Sequence, residues 1–185
     1  MVSLLVVFYI FVVLFAIIGS MRGWAQELLV TFSVILAFFL INILETVILA
    51  KYETGMFQDQ STEQFWLRVA IVMILVFFGY QTPRIKKFTA SVIKEKISDG
   101  FLGFFLGGIN GYLFAGTIWY YMSHAQYPFP YFADPAKFIG TEGITPPITA
   151  VIDFVGKLPP AWLGTTPGIY IAVGLAFLFV IVVLI

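Results

Sequence analysis

The sequence predicts an all-α, polytopic integral membrane protein with four to five transmembrane helices plus one amphipathic interfacial helix, forming a single membrane domain over 1–185. Two observations carry this. Hydrophobic residues make up 61% of the chain and charged residues only 11%, whereas an ordinary soluble domain is roughly 45–50% apolar and about 25% charged. The apolar residues also gather into separated runs of about 17–25, the length that crosses a bilayer.

The first run, 1–18, carries no charge and only Ser3 and Tyr9 as polar interruptions. It lacks the basic start and small-residue cleavage site of a removable signal peptide, so a retained helix is expected. The second, 28–50, is almost uninterrupted until Asn42 and Glu45. The third, 65–80, has Arg68 near one end, where a long side chain can snorkel to the interface. The fourth, 101–122, is rich in glycine and aromatic residues, and the fifth, 169–185, stops at the last residue. A membrane helix followed by no polar tail predicts that the natural chain continues past Ile185.

Between the fourth and fifth runs, the connection 123–168 holds eight of the nine prolines. Within it, Ile148, Val151, Ile152, Val155 and Leu158 recur at helical spacing, with Asp153 and Lys157 on the other side. An amphipathic helix over 147–158 is expected, started by Thr145 or a proline and stopped by Pro159-Pro160. It either lies in the interface or packs on the bundle. Tyr127, Tyr131 and Trp162 suit an interfacial aromatic belt.

Charge placement predicts orientation. Arg84, Lys86, Lys87, Lys94 and Lys96 fall within 81–100 and are half of the ten basic residues. The positive-inside bias puts that loop in the cytoplasm, the N-terminus outside, and the connections 51–64 and 123–168 external. Formal net charge is zero, so no basic excess exists to neutralise phosphates and nucleic acid is not an expected partner. Cysteine is absent and there is one histidine, which removes disulfides, thiolate metal sites, Cys nucleophiles and His-cluster zinc sites. No catalytic motif is present, so no enzyme, metal or cofactor is expected.

Glycine spacing is organised. Gly19 and Gly23 are four apart, and Gly103, Gly107 and Gly111 repeat that interval. Four residues return to one helix face and let another backbone approach closely, as packing inside the bundle or as a pathway or dimer interface. The string Gly19-Ser20-Met21-Arg22-Gly23-Trp24 recurs as Gly107-Gly108-Ile109-Asn110-Gly111-Tyr112, the trace of a duplicated two-helix unit or of chance. Asn110, deep in an apolar run, requires a partner on another helix or a water. Glu27 follows Arg22 by five residues and can pair with it at the membrane surface. Asn42 and Glu45 sit three apart, a candidate intramembrane polar site for a proton or cation. His124 closes the fourth run; imidazole can ligate a haem or a pigment metal, although neutral hydrogen bonding is the plainer role.

These residues resemble the colicin V production protein (CvpA) family of bacterial inner-membrane proteins. The resemblance rests on an apolar first helix, then Gly19-x-x-Arg22-Gly23-Trp24-x-x-Glu27-Leu28, and on Leu102-Gly103-x-x-x-Gly107-x-x-x-Gly111. A proline followed by an amphipathic helix, Pro147 to Leu158, is also similar, and the likeness covers roughly 1–160. Asn110 stands where the family often has arginine, and the run 169–185 is an addition to the usual four helices. The resemblance implies a non-enzymatic protein assisting toxin export or production, or envelope homeostasis. Two other functions fit the composition. One is an accessory scaffold subunit of a photosynthetic or respiratory complex, the only setting in which a pigment is expected. The other is a small channel or transporter. Expected partners are membrane lipids, and other membrane proteins or further copies of the chain.

Overall fold

The computed structural model describes residues 4–48, 62–81, 96–128 and 153–184. Among these, regular structure is entirely helical. Helix α1 runs Leu4–Arg22, α2 Trp24–Ile43 with a π-helical extension over Leu44–Ile48, and α3 Thr62–Gln81. Helix α4 is the long one, Lys96–His124; α5 is a single turn, Pro159–Trp162, and α6 runs Gly168–Leu184. Four of them (α1, α2 with its extension, α3 and α4) are long and apolar enough to cross a membrane. Helix α6 is as apolar but shorter.

Helix starts differ from the hydropathy reading at α2, at α4 and, by three residues, at α3, for the same reason. Helix α2 begins at Trp24 rather than 28, and α4 begins at Lys96 rather than 101. The first turns of both carry polar residues that hydropathy assigns to loops. Here those residues are held: Asp99 in the first turn of α4 accepts a hydrogen bond from the Trp24 backbone N–H at 3.1 Å. A carboxylate at that position satisfies a free amide and suits the positive end of the helix dipole.

A single residue joins α1 to α2. Gly23 has φ of +88°, a left-handed conformation that disfavours any side chain. A Cβ there would also sit 2.6 Å from Asp99 Oδ1. The turn is thus written by both backbone and neighbour.

Helices α1 and α4 run antiparallel at backbone contact. A Cβ on Gly19 would meet the Gly103 carbonyl and lie 2.7 Å from Gly107 Cα, and one on Gly111 would lie 2.9 Å from Val12 Cα. Between helices in lipid the hydrophobic effect gives little net drive, so close van der Waals approach supplies the attraction. The glycine interval read in the sequence is therefore packing within one chain. The two copies of the glycine–polar–glycine–aromatic string meet each other, Gly19 against Gly107.

Helix α2 lies at the centre, touching α1, α3, α4 and α6. Its Val30, Val34, Ala37, Phe38 and Ile41 are buried with Val72 and Val76 of α3 and Leu113 of α4. Large apolar side chains cover the outer faces of α1, α3, α4 and α6, as expected where the solvent is acyl chain. Helix α6 packs along α2, with Phe179 5.5 Å from Phe32 at one end and Tyr170 5.9 Å from Phe39 at the other.

The amphipathic helix expected over 147–158 falls mainly outside the described residues. Its last part, from Asp153 on, is helical and packs on the bundle, with the Phe154 ring 5.3 Å from Phe8 and 5.4 Å from Trp119. The basic residues Arg84, Lys86, Lys87 and Lys94 also lie outside the described residues.

Candidate functional site

Where α1 ends, α2 begins, and α3 ends, residues of four helices form a polar junction around one carboxylate. Arg22, last residue of α1, sends Nη1 to Glu27 Oε1 at 3.0 Å and Nη2 to the Tyr80 carbonyl of α3 at 3.2 Å. Its guanidinium carbon also lies 4.3 Å from the centre of the Tyr80 ring. From α4, Asn110 Nδ2 donates to Glu27 Oε2 at 2.8 Å and to the Glu27 backbone carbonyl at 2.9 Å. Thr31, one turn along α2, donates to Asn110 Oδ1 at 2.7 Å.

Glu27 is 0% exposed and Asn110 likewise, whereas the Arg22 side chain is 18% exposed. The carboxylate is thus closed inside the bundle. Burying a charge in a medium of low dielectric is tolerated when an opposite charge and further hydrogen bonds surround it. Here each carboxylate oxygen has one donor, from a different helix. The first turn of α2 adds its dipole in the favourable sense.

All the glycine-motif residues assemble here. Gly19, Gly103, Gly107 and Gly111 bring α1 and α4 close enough for Asn110 to reach across; Gly23 and Trp24 form the turn; Arg22 and Glu27 form the ion pair the sequence anticipates. Asn110 finds its required partner in Glu27. Three contributors were not read from the sequence: Thr31, Tyr80 and Asp99. Thr31 lies four residues after Glu27, hence on the same helix face, which is the one local signal available. Tyr80 and Asp99 come from distant parts of the chain.

At the opposite end, Asn42 and Glu45 do not share a site. The π-helical turn that begins at Leu44 breaks the α-helical spacing that would put them on one face. Glu45 Oε1 accepts from Arg68 Nε of α3 at 2.6 Å, and the Arg68 guanidinium carbon lies 5.1 Å from the centre of the Tyr121 ring. Asn42 Oδ1 accepts instead from the Tyr170 hydroxyl of α6 at 3.1 Å. His124 is exposed; its ring stacks on Tyr120 at 4.0 Å and its Nδ1 lies 3.0 Å from the Tyr120 carbonyl. Among the described residues no three His, Asp or Glu side chains converge as metal ligands would.

The family model described as "Colicin V production protein" matches residues 5–141. No curated protein and no solved structure matches the chain. The match takes in α1 to α4 and every residue of the Arg22–Glu27–Asn110 junction. It ends before Pro147 and leaves α5 and α6 outside, a shorter extent than the motif likeness suggests. The chain is a membrane protein with four helices capable of spanning the bilayer, and it belongs to the colicin V production protein family.

Proposed function

We propose that this protein acts without catalysing a reaction, as an inner-membrane scaffold that assists toxin export or production, or maintains the envelope. The observation that supports the reading is the Arg22–Glu27–Asn110 junction. Both Glu27 carboxylate oxygens are bonded within it, and it ties α1, α2, α3 and α4 together at one end. A carboxylate so enclosed is built to hold helices rather than to pass a solute. The orientation that goes with this reading has the N-terminus outside and 81–100 in the cytoplasm, next to the junction. The partners are lipids and other membrane proteins or further copies of the chain, with no cofactor.

The test is complementation of a deletion strain, scoring secreted toxin and survival under detergent stress. Arg22→Ala should fail at wild-type membrane abundance. Full complementation by that variant, or failure fully explained by lowered abundance, removes the junction from the function.

A second reading, an accessory subunit of a larger membrane complex, is favoured by α6. That helix lies outside the family match, packs on α2 and leaves Ile171, Leu175, Leu178 and Ile181 exposed. Gentle extraction that yields a stoichiometric large assembly supports it; a lone monomer or homodimer does not.

A further inference from the structure

Several levels in the bundle can be placed against each other along α4. Gly103 lies beside Gly23, where a Cβ would be 3.0 Å from the Gly23 Cα. Tyr121 lies beside the Arg68–Glu45 pair. These two residues are eighteen apart, about 27 Å of helix at about 1.5 Å per residue, close to the roughly 30 Å of a hydrocarbon core. The α1–α2 turn at Gly23 and the Arg68–Glu45 pair are therefore about one hydrocarbon thickness apart along α4.

The segment 153–167 does not lie at the level of the Arg68–Glu45 pair. Phe154 packs on Trp119 and Phe8. The Lys157 carbonyl then accepts a hydrogen bond from the Tyr112 hydroxyl at 2.6 Å. Tyr112 is nine residues before Tyr121, about 13 Å further along α4. Pro159 and Leu158 fill the space above Gly116, where a Cβ would lie 2.9 Å from Pro159 Cδ and 3.2 Å from Leu158 Cδ2. That is about 8 Å below Tyr121. The chain then returns: Tyr170 bonds Asn42, three residues before Glu45.

Backbone in hydrocarbon needs its polar groups satisfied within the protein. Between Lys157 and Gly164 the segment meets much of that demand within itself, while Asp153, Gly156, Lys157 and 165–167 are exposed. Lys157 and Leu158 N–H groups donate to Phe154 and Val155 carbonyls, Ala161 to Leu158, Leu163 to Pro159 and Gly164 to Pro160. Pro159 and Pro160 have no N–H to satisfy. Leu158, Pro159 and Pro160 are buried.

We propose that 153–167 is a re-entrant segment. It enters the bilayer from the face where α4 ends, reaches its deepest point beside Tyr112 and Gly116, and leaves by the same face before α6 begins. The Tyr112–Lys157 bond and the Gly116–Pro159 contact hold it there.

The chain has no cysteine, so single-cysteine variants of the full protein can each carry one nitroxide in phosphatidylcholine–phosphatidylglycerol vesicles. Depth is read from relaxation by oxygen against a water-soluble nickel chelate. Labels at Lys157→Cys and Trp162→Cys should lie deeper than one at Trp66→Cys near the Arg68 level. A label at Val13→Cys, an exposed position next to Val12 beside Gly111, serves as the deep reference. Labels at 157 and 162 as shallow as that at 66 would place the segment on the membrane surface and overturn the proposal. Should Lys157→Cys fail to fold, Trp162→Cys decides alone. Adding Gly116→Ala or Tyr112→Phe should move the 162 label toward the surface while the 66 label stays put. An unmoved 162 label in both would refute the seating described.

Discussion

Asn110 donates to the Glu27 carboxylate at 2.8 Å across 83 residues of sequence. The bond joins the middle of α4 to the first turn of α2, and it is the second of the two contacts that leave neither carboxylate oxygen unpaired. Because Glu27 is wholly buried, the bond's importance lies in what its loss would strand. Arg22 still pairs with the other oxygen when this bond is lost, so the cost is that of a hydrogen bond to a charged group, about 1.5–3 kcal/mol.

Asn110→Leu is accordingly expected to lower stability by about 1.5–3 kcal/mol, read as a drop in the thermal midpoint of the detergent-solubilised protein. Leucine matches the volume but donates nothing to Oε2. A midpoint within a degree of wild type would mean the carboxylate finds another donor.

Arg22 and Glu27 should be coupled. Arg22→Met alone strands the carboxylate and Glu27→Gln alone strands the guanidinium, whereas the double variant strands neither. A double-mutant cycle is expected to return a coupling of about 1–3 kcal/mol. The Glu45–Arg68 pair, whose glutamate side chain is 32% exposed, should return at most about 1 kcal/mol and weaken with salt. Equal values at the two ends would contradict the burial difference.

The glycines should divide into two classes. Gly107→Ala drives a Cβ into the Phe15 carbonyl and to 2.9 Å from Gly19 Cα, so it should separate α1 from α4 and destabilise by about 1–3 kcal/mol. Gly108→Ala meets the Ala16 Cβ at an ordinary 3.6 Å, and Gly174→Ala meets nothing. Both should be neutral or stabilising by about 0.5–1 kcal/mol through helix propensity. Guanidinium or thermal melts of the three variants side by side give the comparison.

Asp99→Ala removes the acceptor for the Trp24 N–H and should lower stability by about 1 kcal/mol. Gly23→Ala should do more harm, since it forces a side chain into positive φ and against that same carboxylate. If the two substitutions are combined, part of the Gly23→Ala loss should be relieved, because the clash partner is gone. Proteolytic sensitivity of the α1–α2 turn provides an independent readout.

Much of this molecule is legible in the order of its residues. Charge scarcity and run length determine that it is helical and membrane-embedded, because backbone groups in lipid must bond within their own segment. Gly23 marks a turn, Arg22 and Glu27 mark a pair, and the interval of Gly103, Gly107 and Gly111 marks a close crossing. The sequence does not say which faces of the helices meet. Inner and outer faces are both apolar here, so periodicity cannot separate core from lipid contact as it does in a soluble bundle. Only the tertiary structure decides that Asn110 serves Glu27, that Asp99 caps α2, and that Asn42 and Glu45 turn to different helices. The same holds for the segment after Asp153, whose polar face suits an interface but whose Lys157 carbonyl bonds Tyr112 and whose Pro159 packs beside Gly116. In each case the partner lies more than twenty residues away, and what selects it is the need of each donor for an acceptor and of each acceptor for a donor.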